Sequence, residues 1–303
     1  MKRHESIQKC LNYLIENRQE VMDILTQFSS YRAANAEMDS TISTLQGALQ
    51  EVQTYQPDWQ RSMAVFMPSN VVLYSYALYL LIPSLYVENI DFRPSSHVNE
   101  YVSLLHEKLQ AVHGLPIYNR KVSQKVFMEN SVIPADIVVF TGSYTNAEKI
   151  KKQIRKEQLY IFYGQGINPF IIGPDADLEL AVTDVIRMRL YNSGQDCLGP
   201  DIILVHQDVR ESFKDLLIKR LDQLEETMTR TQTIHLFSIK IRCIRFLNTL
   251  IRTISLLFTA AALISVRKRW SQRLYIANWM RIWKLSSIFH QSSMWLSIVT
   301  TSS

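Results

Sequence analysis

The residue of this chain best placed for chemistry is a single cysteine. Residues 191–200 read Tyr-Asn-Ser-Gly-Gln-Asp-Cys-Leu-Gly-Pro, so Cys197 follows a turn-forming Ser-Gly at the end of an apolar-periodic segment. A free thiol with a pKa of ~8.5 is only slightly ionised at neutral pH, yet it is intrinsically nucleophilic and can attack a carbonyl carbon. The alternative is a structural thiol. We interpret Cys10 and Cys243 as structural thiols, because neither follows a turn-forming Ser-Gly of this kind.

The order Asn-Ser-Gly-Gln-x-Cys-x-x-Pro resembles the nucleophile segment of the aldehyde dehydrogenase superfamily, with Cys197 at its catalytic position. The resemblance implies that the Cys197 thiolate attacks an aldehyde to give a thiohemiacetal. Loss of a hydride to a nicotinamide cofactor, NAD or NADP, would then leave a thioester. Gly194 removes a side chain near the nucleophile, and the backbone N–H of Cys197 can point at the developing oxyanion.

A second segment upstream extends the resemblance. Met67-Pro68-Ser69-Asn70 follows a strand-like apolar run at residues 63–66 and resembles the family's Pro-Trp-Asn, with Ser69 in place of the tryptophan. The resemblance makes the Asn70 side chain a donor to the oxyanion. A helix N-cap formed by Ser69 or Asn70 is an alternative that is compatible with this role.

A third segment resembles a motif that contacts the cofactor. Arg93-Pro94-Ser95-Ser96 ends a strand-like run and is similar to the family's Lys-Pro-Ser-Glu, which contacts the adenosine ribose. The resemblance therefore assigns Arg93 and Ser95 to cofactor binding. Ser96 stands where NAD-preferring members often carry Glu, a carboxylate that repels a 2′-phosphate. NADP is thus as plausible as NAD.

A fourth segment predicts a phosphate-binding turn. Residues 137–147, Ile-Val-Val-Phe-Thr-Gly-Ser-Tyr-Thr-Asn-Ala, predict a strand, a tight turn and the start of a helix. This arrangement presents backbone N–H groups and the positive end of a helix dipole to a phosphate. It resembles the family's Phe-Thr-Gly-Ser-Thr-x-x-Gly, with Ala147 in the second glycine's place. The resemblance assigns Gly142 and Ser143 to the cofactor.

One position departs from the family pattern. Residues 162–170 resemble the family's Leu-Glu-Leu-Gly-Gly-Lys-Asn-Pro-Phe, and alignment on Asn168 and Pro169 puts Tyr163 where the general-base Glu stands. A phenol with a pKa of ~10 is a poor base at neutral pH, so we expect slow hydrolysis of the thioester. Release to coenzyme A, as in acylating relatives, stays open. Asp196 is not assigned the role of base.

The composition changes near residue 226. No glycine or proline follows Pro200, and no Asp or Glu follows Glu226. Residues 227–303 hold 11 of the 33 Lys and Arg residues, so this tail is basic while the rest of the chain is net acidic. Nucleic-acid binding and an interfacial helix at residues 253–266 are open alternatives, although that stretch is shorter than the ~20 residues of a membrane span. Our hypothesis is a frameshift or gene disruption after about Met228, with neither nucleic-acid binding nor membrane contact.

Together these patterns predict an α/β chain: a Rossmann-like dinucleotide-binding domain plus the truncated start of an aldehyde dehydrogenase catalytic domain. We expect a helical segment at 1–60, the dinucleotide-binding domain at 61–160, a partial catalytic domain at 161–226 and the basic tail at 227–303. Three cysteines without a paired spacing, together with scattered histidines, indicate a reducing, cytoplasmic setting and no metal site.

The expected function follows from the resemblance. An intact relative would oxidise an aldehyde or reduce an acyl thioester, and the expected partner is such a small molecule. The competing interpretation is an inactive fragment or a nucleotide-binding module, because half a catalytic domain leaves apolar surface uncovered. For the same reason we do not expect the oligomer of the intact family.

Overall fold

The computed structural model describes residues 2–164 and 166–230. The chain divides into two compact units, the first ending at Gly166 and the second beginning at Ile167. Each unit is described by itself, and the domain boundaries expected from the sequence stay predictions. From residue 231 onward, the predicted basic tail lies outside the described residues.

The first unit opens with helices whose apolar stripes are buried. They are α1 (Lys2–Glu16), α2 (Arg18–Leu25) and α3 (Tyr31–Tyr55). Ser30 begins α3 as its N-cap, because the Ser30 hydroxyl accepts a hydrogen bond from the Ala33 N–H at 3.3 Å. The side chains that these helices bury include Ile7, Leu14, Val21, Met38 and Leu45.

A five-stranded parallel sheet follows, in the order β3-β2-β1-β4-β5. The strands are β1 (Gln60–Phe66), β2 (Val87–Arg93), β3 (Ile117–Asn119), β4 (Ile137–Thr141) and β5 (Leu159–Tyr163). All neighbouring pairs run parallel, and the order reverses at β1, as in Rossmann-type sheets. The predicted α/β class with a Rossmann-like sheet is confirmed.

Helical segments connect these parallel strands, as a parallel sheet requires. They are α4 (Val72–Tyr76), continued by a π-helical turn (Ala77–Leu81) and a 3-10 turn (Pro83–Leu85), then α5 (Asn99–His113), α6 (Gln124–Phe127) with a π-helical turn (Met128–Val132), and α7 (Tyr144–Lys151). Both faces of the sheet are covered. Met63 and Val65 belong to one core cluster, while Ala64 and Phe66 belong to another, since successive side chains of a strand point to opposite faces.

The second unit is smaller. Strands β6 (Pro169–Ile172) and β7 (Ile202–Val205) pair in parallel, and α8 (Leu178–Arg189) and α9 (Arg210–Arg230) accompany them. The shared core includes Val182, Val185, Phe213, Leu217 and Leu221. Short 3-10 turns lie at Tyr191–Gly194 and Gln207–Val209.

Two kinds of feature are absent from the described residues. In the part of the chain that the structure covers, no helix is long and apolar enough to cross a membrane. Within those same residues, no group of three or more His, Cys, Asp or Glu side chains is arranged to hold a metal ion.

Candidate active site

The candidate residues of the first unit follow three adjacent strands. Phe66 at the end of β1 pairs with Arg93 of β2 on one side and with Phe140 of β4 on the other. The carboxyl ends of β2, β1 and β4 therefore lie at one edge of the sheet, beside the point where the strand order reverses. Open α/β sheets bind ligands in the crevice at such a switch point. Asn70, Ser95 and Gly142 all come directly after these strand ends.

The Gly142–Ser143 turn joins β4 to α7 as the sequence predicts. Ser143 is the N-cap of α7, and its hydroxyl accepts a hydrogen bond from the Asn146 N–H at 3.4 Å. The Gly142 N–H donates to the Tyr163 carbonyl at 3.1 Å, which ties the turn to β5. A Cβ atom on Gly142 would lie 2.7 Å from Cζ of Phe140, so the Phe140 ring would have to move to admit any other residue.

This turn fits a phosphate group. The Thr141 hydroxyl oxygen is buried and has no hydrogen-bond partner among the described residues, so it can donate to a ligand. The Ser143 hydroxyl accepts from Asn146 and keeps its own proton to donate. The first N–H groups of a helix such as α7 have no partner within the helix, and they favour an anion. The dinucleotide predicted from the sequence is therefore compatible with the residues present.

Arg93 and Ser95 lie at the end of β2, and both are partly buried. The Arg93 Nε donates to the Val122 carbonyl at 3.0 Å, which anchors the guanidinium beside the strand end. The Ser95 carbonyl accepts from the Val98 N–H at 3.2 Å and thereby starts the turn into α5. Ser96 is exposed, and its hydroxyl stands where the sequence analysis expected a carboxylate in NAD-preferring relatives.

The Asn70 turn differs from the sequence prediction. Helix α4 begins at Val72, and its N-cap is Val71, which has φ 44° and ψ 50° and makes no side-chain cap. The alternative that Ser69 or Asn70 caps this helix is therefore wrong. The reason is that the chain turns through a left-handed residue after Asn70, which moves the cap position to an apolar side chain. Asn70 itself is half-buried.

A carboxylate that the sequence analysis missed serves this helix instead. Glu37 of α3 accepts hydrogen bonds at Oε1 from the N–H groups of Leu73, at 2.6 Å, and Tyr74, at 3.1 Å. Burial raises the pKa of Glu37 to about 7, although the two N–H groups oppose the shift. One signal could have revealed it: Glu37 lies on the same α3 stripe as the buried residues Ala33 and Thr41, one turn away on either side.

In the second unit, Cys197 is an exposed free thiol. It follows the 3-10 turn Tyr191–Gly194, which contains the left-handed residues Asn192 at φ 47° and Gly194 at φ 74°. Just after Cys197, the Leu198 N–H donates to Asp196 Oδ1 at 2.8 Å. The loop therefore has a defined backbone on both sides of the sulfur.

The Asn168 side chain holds this loop from a distant segment of the second unit. Its Nδ2 donates to the carbonyl of Cys197 at 2.7 Å and lies 3.3 Å from the carbonyl of Gly199. The same nitrogen is 3.2 Å from Asp201 Oδ2, and Asp201 pairs with Arg189 at 3.6 Å. Nothing in the sequence around Asn168 predicts this contact with the nucleophile loop, which the fold brings about.

The environment of the Cys197 sulfur favours the neutral thiol. Partial burial raises the pKa of Cys197, and the negative charge of Asp196 raises it further, while the residue's own N–H acts weakly in the other direction. The thiol is thus exposed enough to meet a carbonyl carbon but is mostly protonated at neutral pH. It must lose its proton to a base when it attacks.

Tyr163, which the sequence resemblance aligns with the family's general base, ends β5. Its ring stacks on Tyr79 with centroids 5.3 Å apart and the planes inclined by 23°. Its carbonyl accepts the Gly142 N–H, so the residue adjoins the phosphate turn. The side chain is exposed.

Part of this chain is similar to known aldehyde dehydrogenases. Residues 109–235 match the aldehyde dehydrogenase family. The chain is 32% identical over 89 residues to a lactaldehyde dehydrogenase of Methanococcus maripaludis, covering 29% of this chain and 19% of that protein. It is 29% identical over 139 residues to a sulfoacetaldehyde dehydrogenase of Neptuniibacter caesariensis, covering 45% of this chain and 30% of that protein. The chain thus spans less than a third of these curated relatives.

Solved structures show the same fold at low sequence identity. A betaine aldehyde dehydrogenase of Staphylococcus aureus superimposes with a TM-score of 0.64 at 20% identity, covering 73% of this chain and 49% of that one. A second structure of that enzyme is in complex with NAD+. An NADP-dependent glyceraldehyde-3-phosphate dehydrogenase of Bacillus halodurans, complexed with NADP, gives a TM-score of 0.62 at 17% identity, covering 73% of this chain and 52% of that one.

The matched range contains the phosphate turn, Tyr163 and the nucleophile loop, while Asn70 and Arg93 precede it. The first unit brings Asn70, Arg93, Ser95, Gly142 and Ser143 to one sheet edge, and Cys197 is described within the second unit. The roles of these residues stay predictions from the sequence. Over residues 109–235 this chain is similar to the aldehyde dehydrogenase family.

Proposed function

We propose that this chain carries the site of a NAD(P)-dependent oxidoreductase that acts on the carbonyl group of an aldehyde through Cys197. The observation that carries the proposal is an exposed thiol on a loop clamped by Asn168, inside the range that matches the family. The likeness to a lactaldehyde dehydrogenase and a sulfoacetaldehyde dehydrogenase supports an aldehyde as the substrate class.

Cys197 is the proposed nucleophile. Its sulfur forms a bond to the carbonyl carbon, the thiol proton leaves to a base, and the carbonyl oxygen becomes an oxyanion. The Asn70 amide and the Cys197 N–H are the proposed donors to that oxyanion, where such donors stabilise the transition state most. Bound NAD or NADP would supply the hydride acceptor. The product on the protein is a thioester of Cys197.

The cofactor's proposed ligands are the residues of the sheet edge. Gly142 allows close approach of the pyrophosphate, Ser143 and Thr141 donate hydroxyl protons, and the start of α7 provides N–H groups. Arg93 and Ser95 are proposed to contact the adenosine ribose. Because Ser96 is a neutral hydroxyl, we propose that a 2′-phosphate is tolerated and that both NAD and NADP bind.

A second candidate reaction is favoured by Tyr163. An aromatic ring stacked on Tyr79 replaces the carboxylate that would activate water. We therefore propose that water releases the thioester slowly. A thiol acceptor such as coenzyme A would release it as an acyl thioester, and the reverse reaction would reduce an acyl thioester to an aldehyde. Such a reaction also needs Cys197 but does not need a general-base carboxylate at position 163.

Cofactor reduction provides the test. Purified protein is given NAD+ or NADP+ with a panel of short-chain aldehydes, with and without coenzyme A, and formation of NADH or NADPH is recorded. Turnover should fall at least about a thousandfold in Cys197→Ala and persist in Cys10→Ala, whose sulfur is buried. Turnover that needs coenzyme A identifies the second candidate reaction. Cofactor binding without turnover in the wild type contradicts both and leaves a nucleotide-binding module.

The proposal also covers the cellular compartment of the protein. A free, exposed Cys197 stays reactive only in a reducing compartment, so we propose a cytoplasmic location. Labelling of Cys197 by a membrane-permeant alkylating reagent in intact cells checks this. A Cys197 that is recovered as a disulfide from cells lysed in that reagent contradicts it.

A further inference from the structure

Glu37 is a buried carboxylate whose side-chain hydrogen bonds both go to another part of the first unit. It lies on α3 with 7% of its surface exposed, and among the described residues it makes no ion pair. Its Oε1 accepts both hydrogen bonds, from the N–H groups of Leu73 and Tyr74. A carboxylate buried without a cation destabilises a fold unless hydrogen bonds compensate. This one is compensated only by the start of α4.

The helix start that Glu37 holds is strained. Val71 has φ 44° and ψ 50°, a left-handed conformation that is a genuine outlier for a β-branched residue. Such strain persists only where surrounding contacts impose it, and it is common at functional sites. A local Ser or Asp at the cap position would satisfy the N–H groups without help from α3. Val71 cannot do so, because its side chain has no acceptor.

Asn70 lies between two fixed points. On the strand side, the Met67 N–H donates to the Arg93 carbonyl at 3.0 Å, which extends the pairing of β1 with β2. On the helix side, the bonds to Glu37 begin at Leu73, and the Ser75 N–H donates to the Val71 carbonyl at 2.9 Å. The backbone at Asn70 is therefore held from both sides, and of these contacts the one to Glu37 comes from the N-terminal helices.

We propose that Glu37 is a positioning residue for Asn70, holding the left-handed Val71 turn in place so that the Asn70 amide faces the oxyanion. The inference rests on the proposed role of Asn70. It assigns a function to the N-terminal helices, which lie outside the residues that match the family. The hydrogen-bonding link from these helices to the start of α4 is Oε1 of Glu37.

The first arm of the test measures the turn directly and needs no activity. Amide hydrogen exchange at residues 71–76 is recorded by NMR or mass spectrometry for the wild type, Glu37→Ala and Glu37→Gln. Thr41→Val is the matched control, because the Thr41 hydroxyl donates to the Glu37 carbonyl at 2.8 Å in the same buried stripe without touching Oε1. Glu37→Ala should speed exchange at Leu73 and Tyr74 at least about tenfold over that control. Glu37→Gln keeps Oε1 and should stay within about threefold of the wild type.

A second pair of variants distinguishes a local effect on the Val71 turn from destabilisation of the whole unit. Val71→Gly makes the left-handed turn unstrained, so Glu37→Ala should raise exchange less in that background than in the wild type. If Glu37→Ala merely destabilises the whole unit, exchange rises equally throughout β1 and α3. Uniform exchange of that kind, or an effect no larger than that of Thr41→Val, overturns the inference.

The second arm tests whether the effect passes through Asn70. In the turnover assay, Glu37→Ala should lower kcat at least about tenfold while leaving the Kd of NAD+ within about twofold. In the Asn70→Ala background, the same change should lower kcat less than about twofold. The effects of two substitutions are not additive when one residue acts through the other. Equal losses in both backgrounds contradict the inference. A wild type without turnover refutes the proposed function, whereas the exchange arm still decides the role of Glu37 in the turn.

Discussion

Two turns at the same sheet edge are held in opposite ways. The Gly142–Ser143 turn follows β4 and contains its own cap, since the Ser143 hydroxyl accepts the Asn146 N–H. The Asn70–Val71 turn follows the neighbouring strand β1 and contains no cap, so that Glu37, on a helix far upstream, accepts the N–H groups instead. One turn is self-contained. The other depends on tertiary contact.

This difference has a physical consequence for the site. A turn whose cap is local forms wherever its strand and helix form, and its geometry depends on nearby residues alone. A turn that is held by a side chain of a separate helix depends on the stability of that helix and on the charge of that side chain. The proposed phosphate contacts should therefore be robust, whereas the position of Asn70 should respond to changes in the N-terminal helices and to pH.

The largest expected effect is the pH response of Glu37. Its pKa is raised from the ordinary value of 4.5 to about 7, so the folded state binds the proton more tightly than the unfolded state. The contribution of Glu37 to the free energy of unfolding is therefore greatest below pH 4.5 and falls as the pH rises to about 7. A shift of this size corresponds to about 3 kcal/mol.

Urea unfolding of the wild type and Glu37→Gln at matched pH checks this prediction. Between pH 4.5 and pH 7, the wild type should lose about 3 kcal/mol of unfolding free energy relative to the variant, since glutamine does not titrate. Comparing the two proteins removes the contributions of other titrating groups. A difference that stays constant across this range would show that Glu37 is not buried as a carboxylate.

The next effect concerns the self-contained turn. Replacing Gly142 by Ala puts a methyl group 2.7 Å from the Phe140 ring, which must move, and overpacking of this kind costs about 2 kcal/mol. Gly47→Ala is the control: it lies within α3 with open space around it and should gain about 0.5 kcal/mol. Thermal unfolding of both variants measures this contrast. Equal melting temperatures for the two would mean that the Gly142 turn is not tightly packed.

The smallest effect is the loss of the local cap. Ser143→Ala removes the acceptor of the Asn146 N–H and should lower the free energy of unfolding by about 1 kcal/mol. Because the same hydroxyl is proposed to contact the cofactor, the Kd of NAD+ should rise as well. Isothermal calorimetry and urea unfolding of one protein sample measure both. A change in Kd without any change in stability would mean that Ser143 serves the ligand but not the helix.

The sequence predicted the self-contained parts of the site. The strand, glycine turn and helix at residues 137–147 are encoded locally, by an apolar run, a glycine and a serine cap, and the structure has all three. The strand-like run before Asn70 is likewise part of β1. The parallel sheet follows from strands that alternate with helical segments.

Contacts between distant residues could not be predicted in this way. Nothing near Asn70 in the sequence indicates that the cap is absent. The α3 stripe marks Glu37 as buried, but nothing in it indicates that Glu37 meets α4. The contact of Asn168 with the Cys197 carbonyl is of the same kind, because 29 residues separate the two. Each depends on the packing of elements that only the folded chain brings together.

The central claim is that the Cys197 sulfur forms a covalent bond with the substrate. The direct measurement is mass spectrometry of protein that is mixed with an aldehyde and NAD+ or NADP+, quenched in acid and digested. We predict an acyl group on the peptide that contains Cys197, removable by hydroxylamine and accumulating because Tyr163 replaces the base that would hydrolyse it. An unmodified Cys197 in protein that nevertheless reduces the cofactor, or an acyl group on Cys10 instead, would contradict the account.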